Sequence, residues 1–267
     1  FICQNDDGRI FFMIPYEDKF TLIGTTDIDH SRSASEVEIS EEEKQYICDS
    51  ANTYLNSEIK LSDIVWSYSG VRPLYDDGAS KAQEATRDYV IKAEEHDSSL
   101  MINIFGGKIT TYRRLSEAIL KHIETFLGQR GGPWTDNSSL PGGDVDVDGL
   151  FDLNNKIQEK YPFLNEEIVK RLVRSYGTVS FDIFASAINI ESLGESFGSG
   201  LYEKEVVYLV QNEWARTSED ILFRRSKLGL SLTKNEKQKL DQFLEKYQKL
   251  SKTSDSSVKQ DNIVETV

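Results

Sequence analysis

Residues 103–115 read NIFGGKITTYRRL. An apolar run stops at Phe105, Gly106 and Gly107 follow, Lys108 adds a full positive charge, and Thr110 and Thr111 stand where a helix should begin. A strand that turns through two glycines into a helix presents unpaired backbone N–H groups and the positive end of the helix dipole to whatever lies above the turn. Glycine carries no Cβ, so the backbone there can approach a ligand closely. The combination suits anionic oxygen. A plain tight connection with an exposed lysine accounts for the same residues equally well, because the four-residue spacing of a phosphate-binding P-loop is absent.

Other cations are weaker candidates. In YSGVRPL, Arg72 sits after Gly70 and before Pro73, at the end of an expected strand, where a guanidinium could clamp carboxylate or phosphate through two bonds. A surface ion pair is the commoner use of a lone arginine. Arg87 is followed at once by Asp88, so a local ion pair competes with a ligand role. His30, His96 and His122 are scattered, lack metal-ligand spacing and read as structural or exposed, with His122 on the apolar stripe of a helix. Arg224, Arg225 and Lys227 in FRRSK form a basic helix face, a solvated surface or a domain-docking patch. Asp144, Asp146 and Asp148 look like half of a calcium loop without its closing glutamate, so no metal site is expected.

Composition bounds what these residues can belong to. The chain has 267 residues, enough for one or two domains, with a net charge of −14 that argues against nucleic acid and against electrostatic docking on an acidic lipid surface. No apolar stretch approaches the ~20 residues needed to span a bilayer. Two cysteines, Cys3 and Cys48, fit a reducing compartment and read as buried thiols. The first residue is Phe1, and strand-like sequence begins at once, so a piece of a longer polypeptide is expected.

The elements that would position the candidates follow from periodicity. Residues 9–29 read as a hairpin around Glu17-Asp18-Lys19, and Ser40 with Glu43 forms a capping box for an amphipathic helix. DIVWSYSGVRPLYDD reads as a strand that runs into a Pro-containing bend at Arg72-Pro73, TRDYVIKAEE as a further strand, and LMINIF as a strand buried on both faces. After Gly107, Leu115, Ala118, Ile119, Ile123, Phe126 and Leu127 make a helical stripe, with Thr110 or Thr111 as its cap and Gly128 as its stop. Beyond a Gly-, Pro- and Asp-rich stretch the character becomes all-helical, with caps at Asn165, Thr217 and Thr233. The expected organisation is α+β: residues 1–130, a linker at 131–149, a helical domain at 150–250, and a disordered polar tail at 251–267.

On the residues alone this is an α+β domain with an anion site, joined to a helical domain, and no reaction is named. Taken in order, RIFFMIPYEDKFTLIGTTD, DIVWSYSGVRPLYDD, ATRDYVI, NIFGGKITTYRRLSEAIL, PWTDNSSLPGGD and NEWARTSEDILFRRSKLGL closely resemble the FAD-dependent glycerol-3-phosphate dehydrogenases, within the D-amino-acid-oxidase-like superfamily. The resemblance runs nearly to the tail. It implies that the chain is the C-terminal part of a FAD- and substrate-binding α/β region, with an antiparallel β-rich substrate domain and the last strand and helix of the FAD domain, followed by an all-α cap. The G-x-G-x-x-G of such enzymes is not in this sequence.

The resemblance further implies oxidation of sn-glycerol 3-phosphate to dihydroxyacetone phosphate, with hydride passing to FAD and electrons to a quinone. Arg72, Lys108 and Arg87 would bind substrate, and Gly106, Gly107, Lys108, Thr110 and Thr111 would face the flavin. The catalytic base would lie upstream of Phe1, so these residues alone should neither hold FAD tightly nor turn over. A cytoplasmic location with peripheral contact on the inner membrane face, and a homodimer, are compatible with it. Two competing readings stand beside it: a glycerophosphate oxidase that uses oxygen, and a non-catalytic helical interaction module at residues 135–250.

Overall fold

The computed structural model describes residues 1–75 and 86–261, with side chains as far as residue 250. Asp76, Asp77 and Ala85 of the motif segments lie outside the described residues, as do residues 262–267 of the expected tail. The chain divides into two compact units, Phe1–Ser138 and Ser139–Val267.

The first unit begins with an antiparallel sheet of β1 (Ile2–Gln4), β2 (Ile10–Tyr16) and β3 (Phe20–Gly24), in that order. The hairpin is as expected: Tyr16 pairs with Phe20, and Glu17 and Asp18 both take positive φ, the left-handed backbone that matches strand twist in a tight hairpin. Alternation along β2 buries Phe11 and Met13 and exposes Ile10, Phe12 and Ile14. Phe11 and Met13 pack with Cys3 and with Ala51 of α1 (Glu41–Asn52). The capping box forms: the Glu43 N–H donates to Ser40 Oγ at 3.1 Å, and the Ser40 N–H donates to Glu43 Oε2 at 3.0 Å. Cys3 and Cys48 are both buried free thiols, and burial, followed by nearby Asp49 and Asp63, pushes the Cys48 thiol up.

Residues 64–75 are not a strand. They run without a ladder partner among the described residues, and their alternation reflects side-chain packing instead. Trp66 stacks on Tyr68 with ring centroids 4.9 Å apart, and Tyr16 lies 6.2 Å from Trp66. Alternating aromatics mark residues sharing a face, and only a hydrogen-bonded neighbour makes that a strand.

β4 (Tyr89–His96) and β5 (Ser99–Gly106) form an antiparallel ribbon, registered from Tyr89 opposite Gly106 to His96 opposite Ser99. β5 is not buried on both faces: Met101, Ile104 and Phe105 are exposed. Among the described residues the ribbon has two strands. One face of β5 lines an apolar groove with α2 (Tyr112–Leu127), where Leu100, Ile102 and Ile104 meet Ile119, Ile123 and Phe126. His122 is exposed rather than part of the helix's apolar stripe.

The second unit is helical: α3 (Leu150–Lys160), α4 (Glu166–Tyr176), α5 (Ser180–Phe184), α6 (Glu203–Asn212), a π-helical stretch at Asp220–Arg225, and α7 (Lys234–Asp261). The backbone of α7 continues past Leu250, where the periodic apolar face ends. The expected caps form at Asn165, whose side chain accepts the Ile168 N–H at 2.9 Å, and between Thr233 and Glu236. One core, including Ile157, Tyr161, Leu172, Phe184, Leu209, Ile221 and Leu240, joins these helices.

The Gly- and Pro-rich stretch divides between the units. Thr135 Oγ1 donates to Glu117 Oε1 of α2 at 2.5 Å, whereas the Gly142 carbonyl accepts the Thr178 N–H at 3.3 Å just past α4. Among the described residues no helix is long and apolar enough to cross a membrane.

A charged pair sits inside the helical core. Arg171 Nη1 and Nη2 donate to Glu205 Oε1 and Oε2 at 2.6 and 2.7 Å, Nη2 also reaches the Gly200 carbonyl at 3.0 Å, and Tyr176 donates its hydroxyl to Glu205 Oε1 at 2.7 Å. Glu205 is fully buried. Burial, reinforced by the neighbouring Glu205 carboxylate, pushes the Tyr176 hydroxyl far above its usual range and keeps it a donor.

Glu205→Ala leaves Arg171 buried without its counter-ion, so chemical denaturation should show a loss of about 3–5 kcal/mol, while a double Arg171→Met, Glu205→Leu variant should lie much closer to wild type. Glu43 gives a pH signature for the first unit. Partial burial works to raise its carboxyl, but hydrogen bonds from the Ser40 N–H and the Thr26 and Ser40 hydroxyls outweigh it and hold the group below its usual 4.5. A carboxyl lowered in the folded state stabilises above its unfolded pKa, and that stability is lost as pH falls through the folded one. Melting followed from pH 7 down to pH 3 should fall less steeply in Glu43→Gln than in wild type.

Candidate functional site

The three candidate segments of the first unit meet at Gly106. Its φ is +66°, and a methyl group built there would lie 3.4 Å from the Tyr75 nitrogen, 3.4 Å from the Asp88 carbonyl oxygen and 3.5 Å from the Pro73 carbonyl oxygen. The backbones following Arg72 and Arg87 therefore pass directly against the end of β5. Gly107, at φ +94°, is tighter, with its methyl position 3.1 Å from Tyr89 Cβ. A left-handed backbone and close contact together favour glycine at both positions. The register of β4 on β5 sets this up, since Tyr89 opposite Gly106 brings Arg87 and Asp88 alongside the Gly-Gly-Lys turn.

Beyond the turn, Lys108 is exposed and has no ion-pair partner among the described residues. A single 3-10 turn, Ile109–Thr111, intervenes before α2. Neither threonine caps α2. Thr111 is at φ −99°, ψ 5°, outside the extended geometry that lets a side chain fold back on the first turn, and its hydroxyl donates instead to the Lys108 carbonyl at 2.8 Å. Thr110 is exposed. Among the described residues, no side-chain acceptor caps the first N–H groups of α2. Arg113, in the same basic run, pairs with Glu117 at 3.0 Å.

Arg72 and Arg87 share a carboxylate that the sequence reading did not single out. Arg72 Nη1 donates to Asp27 Oδ2 at 2.7 Å, and Arg87 Nη2 lies 3.7 Å from the same oxygen. The expected local pair of Arg87 with Asp88 does not form among the described residues. Asp27 follows β3, and its neighbour Thr26 donates its hydroxyl to Glu43 Oε1 at 2.5 Å, tying this loop to the start of α1. Asp27 left one trace in the sequence, an acid just past a strand end in GTTD, but nothing there links it to arginines 45 and 60 positions away. Beside the turn, Tyr75 packs on Phe105 with centroids 5.6 Å apart, and Lys92 Nζ lies 5.0 Å from the Tyr75 ring.

Elsewhere the chemistry is structural. Arg224 pairs with Glu219 and Asp220, and Arg225 donates to the Glu213 carbonyl at 2.7 Å, which absorbs much of the FRRSK charge. Asp144 accepts the Thr178 hydroxyl. His30 and His96 are exposed, contacting the Ser33 carbonyl and Glu94. No cluster of acids, histidines and cysteines that could hold a metal ion occurs among the described residues.

A family model described as FAD dependent oxidoreductase matches residues 2–113, and a second, the C-terminal domain of alpha-glycerophosphate oxidase, matches residues 133–257. The chain is 39% identical to the aerobic glycerol-3-phosphate dehydrogenase of Escherichia coli over 257 residues, 95% of this chain and 51% of that protein. It is 40% identical to D-erythritol 1-phosphate dehydrogenase of Brucella abortus over 89% of this chain and 47% of that one. To the glycerol-3-phosphate dehydrogenase of Pseudomonas aeruginosa it is 39% identical over 92% and 48% respectively. The chain thus spans about half the length of the curated relatives it matches. The chain belongs to the FAD-dependent oxidoreductase family that contains the glycerol-3-phosphate dehydrogenases.

Proposed function

We propose that the chain forms part of a flavoenzyme that oxidises a polyol phosphate, sn-glycerol 3-phosphate first, at its secondary alcohol to give dihydroxyacetone phosphate. The observation that carries this reading is the convergence of Arg72, Arg87 and the Gly106-Gly107-Lys108 turn, in a chain whose relatives are named for glycerol 3-phosphate and erythritol 1-phosphate.

In this reading the guanidinia of Arg72 and Arg87 bind the substrate phosphate, to which planar N–H forks are suited, with polarisation of the C2 oxygen as a further role for Arg72. Lys108 supplies positive charge beside the reacting carbon. Gly106, Gly107, Lys108, Thr110 and Thr111 would face a flavin edge: Gly106 and Gly107 are left-handed and carry no Cβ, and the start of α2, which neither threonine caps, lies just beyond the turn. FAD, when bound, supplies the two-electron acceptor for the hydride leaving C2. The hydroxyl proton goes to a base, and no candidate residue of this chain is assigned that role.

Electrons then pass to a quinone. The match to the C-terminal domain of alpha-glycerophosphate oxidase favours a second reading, in which oxygen is the acceptor and hydrogen peroxide the product. Because the relatives are about twice as long, we infer that residues 1–267 alone neither hold FAD tightly nor turn over. Cytoplasmic location, peripheral docking on the inner membrane face and homodimer formation complete the proposal.

In the flavin-loaded full-length enzyme, dye-linked oxidation of glycerol 3-phosphate should be present, and Arg72→Gln should lower kcat/KM by about 10- to 100-fold, the ~1.5–3 kcal/mol range of a charge-assisted hydrogen bond. Absence of wild-type activity on any polyol phosphate refutes the reading. Peroxide release assayed against quinone reduction separates the two acceptors. Gly107→Val should abolish flavin retention, since a β-branched residue at φ +94° would also press on Tyr89.

A further inference from the structure

Two arginines brought together to bind an anion repel each other and, on long side chains, have many rotamers to lose. Here one carboxylate answers both problems. Asp27 Oδ2 lies 2.7 Å from Arg72 Nη1 and 3.7 Å from Arg87 Nη2, although the three residues come from three separate segments. Each guanidinium carries five N–H donors and meets Asp27 through one nitrogen, so donors remain for phosphate oxygens. Taken by themselves, these two guanidinia and one carboxylate sum to a positive charge, which suits an anion. The residue before Asp27 is anchored in turn, because Thr26 donates to Glu43 Oε1 at 2.5 Å and Glu43 is fixed in the capping box of α1.

We propose that Asp27 is a positioning residue for the substrate phosphate: it holds Arg72 and Arg87 at one spacing before substrate arrives, and so sets discrimination for phosphorylated substrates without touching the reacting carbon. This deepens the proposed function and rests on it. An ordinary half-exposed ion pair would contribute little to stability. The distinguishing consequence is a selective effect on phosphate recognition.

The test uses the flavin-loaded full-length enzyme, with rates normalised to bound flavin. Asp27→Asn should raise KM for glycerol 3-phosphate about tenfold or more, within the range for a lost charge-assisted contact, while kcat changes less than about threefold. It should weaken competitive inhibition by inorganic phosphate to a similar extent. Asp27→Glu, which keeps the charge, should recover much of both. A merely structural role would lower flavin content and melting temperature and leave KM and the phosphate inhibition constant where they were. Wild-type KM in a well-folded Asp27→Asn enzyme overturns the positioning role alone. If that variant does not load flavin, Asp27→Ser, which also removes the charge, decides: a raised KM with kcat kept supports the role, and an unchanged KM overturns it. A wild-type enzyme inert toward glycerol 3-phosphate overturns the functional reading and this inference with it.

Discussion

Three chain segments reach one place because nothing stands on the Cα of Gly106. The Pro73 and Asp88 carbonyls and the Tyr75 nitrogen all approach the space a side chain there would claim, and the turn continues through a second left-handed glycine held against Tyr89. Most of what is chemically interesting in the first unit follows from that contact. Arg72 precedes Pro73, Arg87 precedes Asp88, and Lys108 follows Gly107, so each cation is delivered by the backbone one residue away from a glycine or its neighbour. The β4–β5 register supplies the alignment, since moving it by one residue would carry Arg87 away from the turn and invert the faces of both strands.

Charge then refines what the backbone delivers. Two guanidinia in one neighbourhood are unfavourable unless something negative is shared between them, and Asp27 provides it through a single oxygen. The contrast with Arg171 and Glu205 is instructive. That pair is bidentate, buried and further satisfied by Gly200 and Tyr176, and it leaves only Arg171 Nε without a partner. Such an arrangement is closed and suits a core. Arg72 and Arg87 are half-exposed, and each meets Asp27 through a single nitrogen.

How far the sequence could be read depended on how local each determinant was. Ser40 with Glu43, Thr233 with Glu236 and Asn165 before Ile168 were legible because a cap is settled within three residues. The hairpin at Glu17-Asp18-Lys19 was legible for the same reason. Residues 64–75 were misread because strand status needs a hydrogen-bonded neighbour, which periodicity does not reveal, and β5 because burial on both faces needs layers that two strands and one helix do not make. The threonines after Lys108 looked like caps by type, but the 3-10 turn places them outside cap geometry. Asp27 was out of reach for a different reason: an acid becomes part of a cation site only through contacts 45 and 60 residues distant.

The two units also differ in what holds their functional features in place. In Ser139–Val267 a continuous core fixes the helices, and position follows from packing density. Among the described residues of Phe1–Ser138 the buried cluster is small, essentially Cys3, Phe11, Met13 and Ala51, and it lies with the first sheet and α1. Burial does little to place the candidate residues there. Their placement comes from directional constraints acting in series: Ser40 fixes Glu43, Glu43 fixes Thr26, Thr26 adjoins Asp27, and Asp27 gathers the two arginines. A chain of short polar contacts is sensitive to single substitutions, because each link depends on the direction and length of particular hydrogen bonds. It also transmits geometry over a distance that hydrophobic contact, being non-directional, does not specify. In this unit the start of α1 is thereby joined through Thr26 to the loop that carries Asp27.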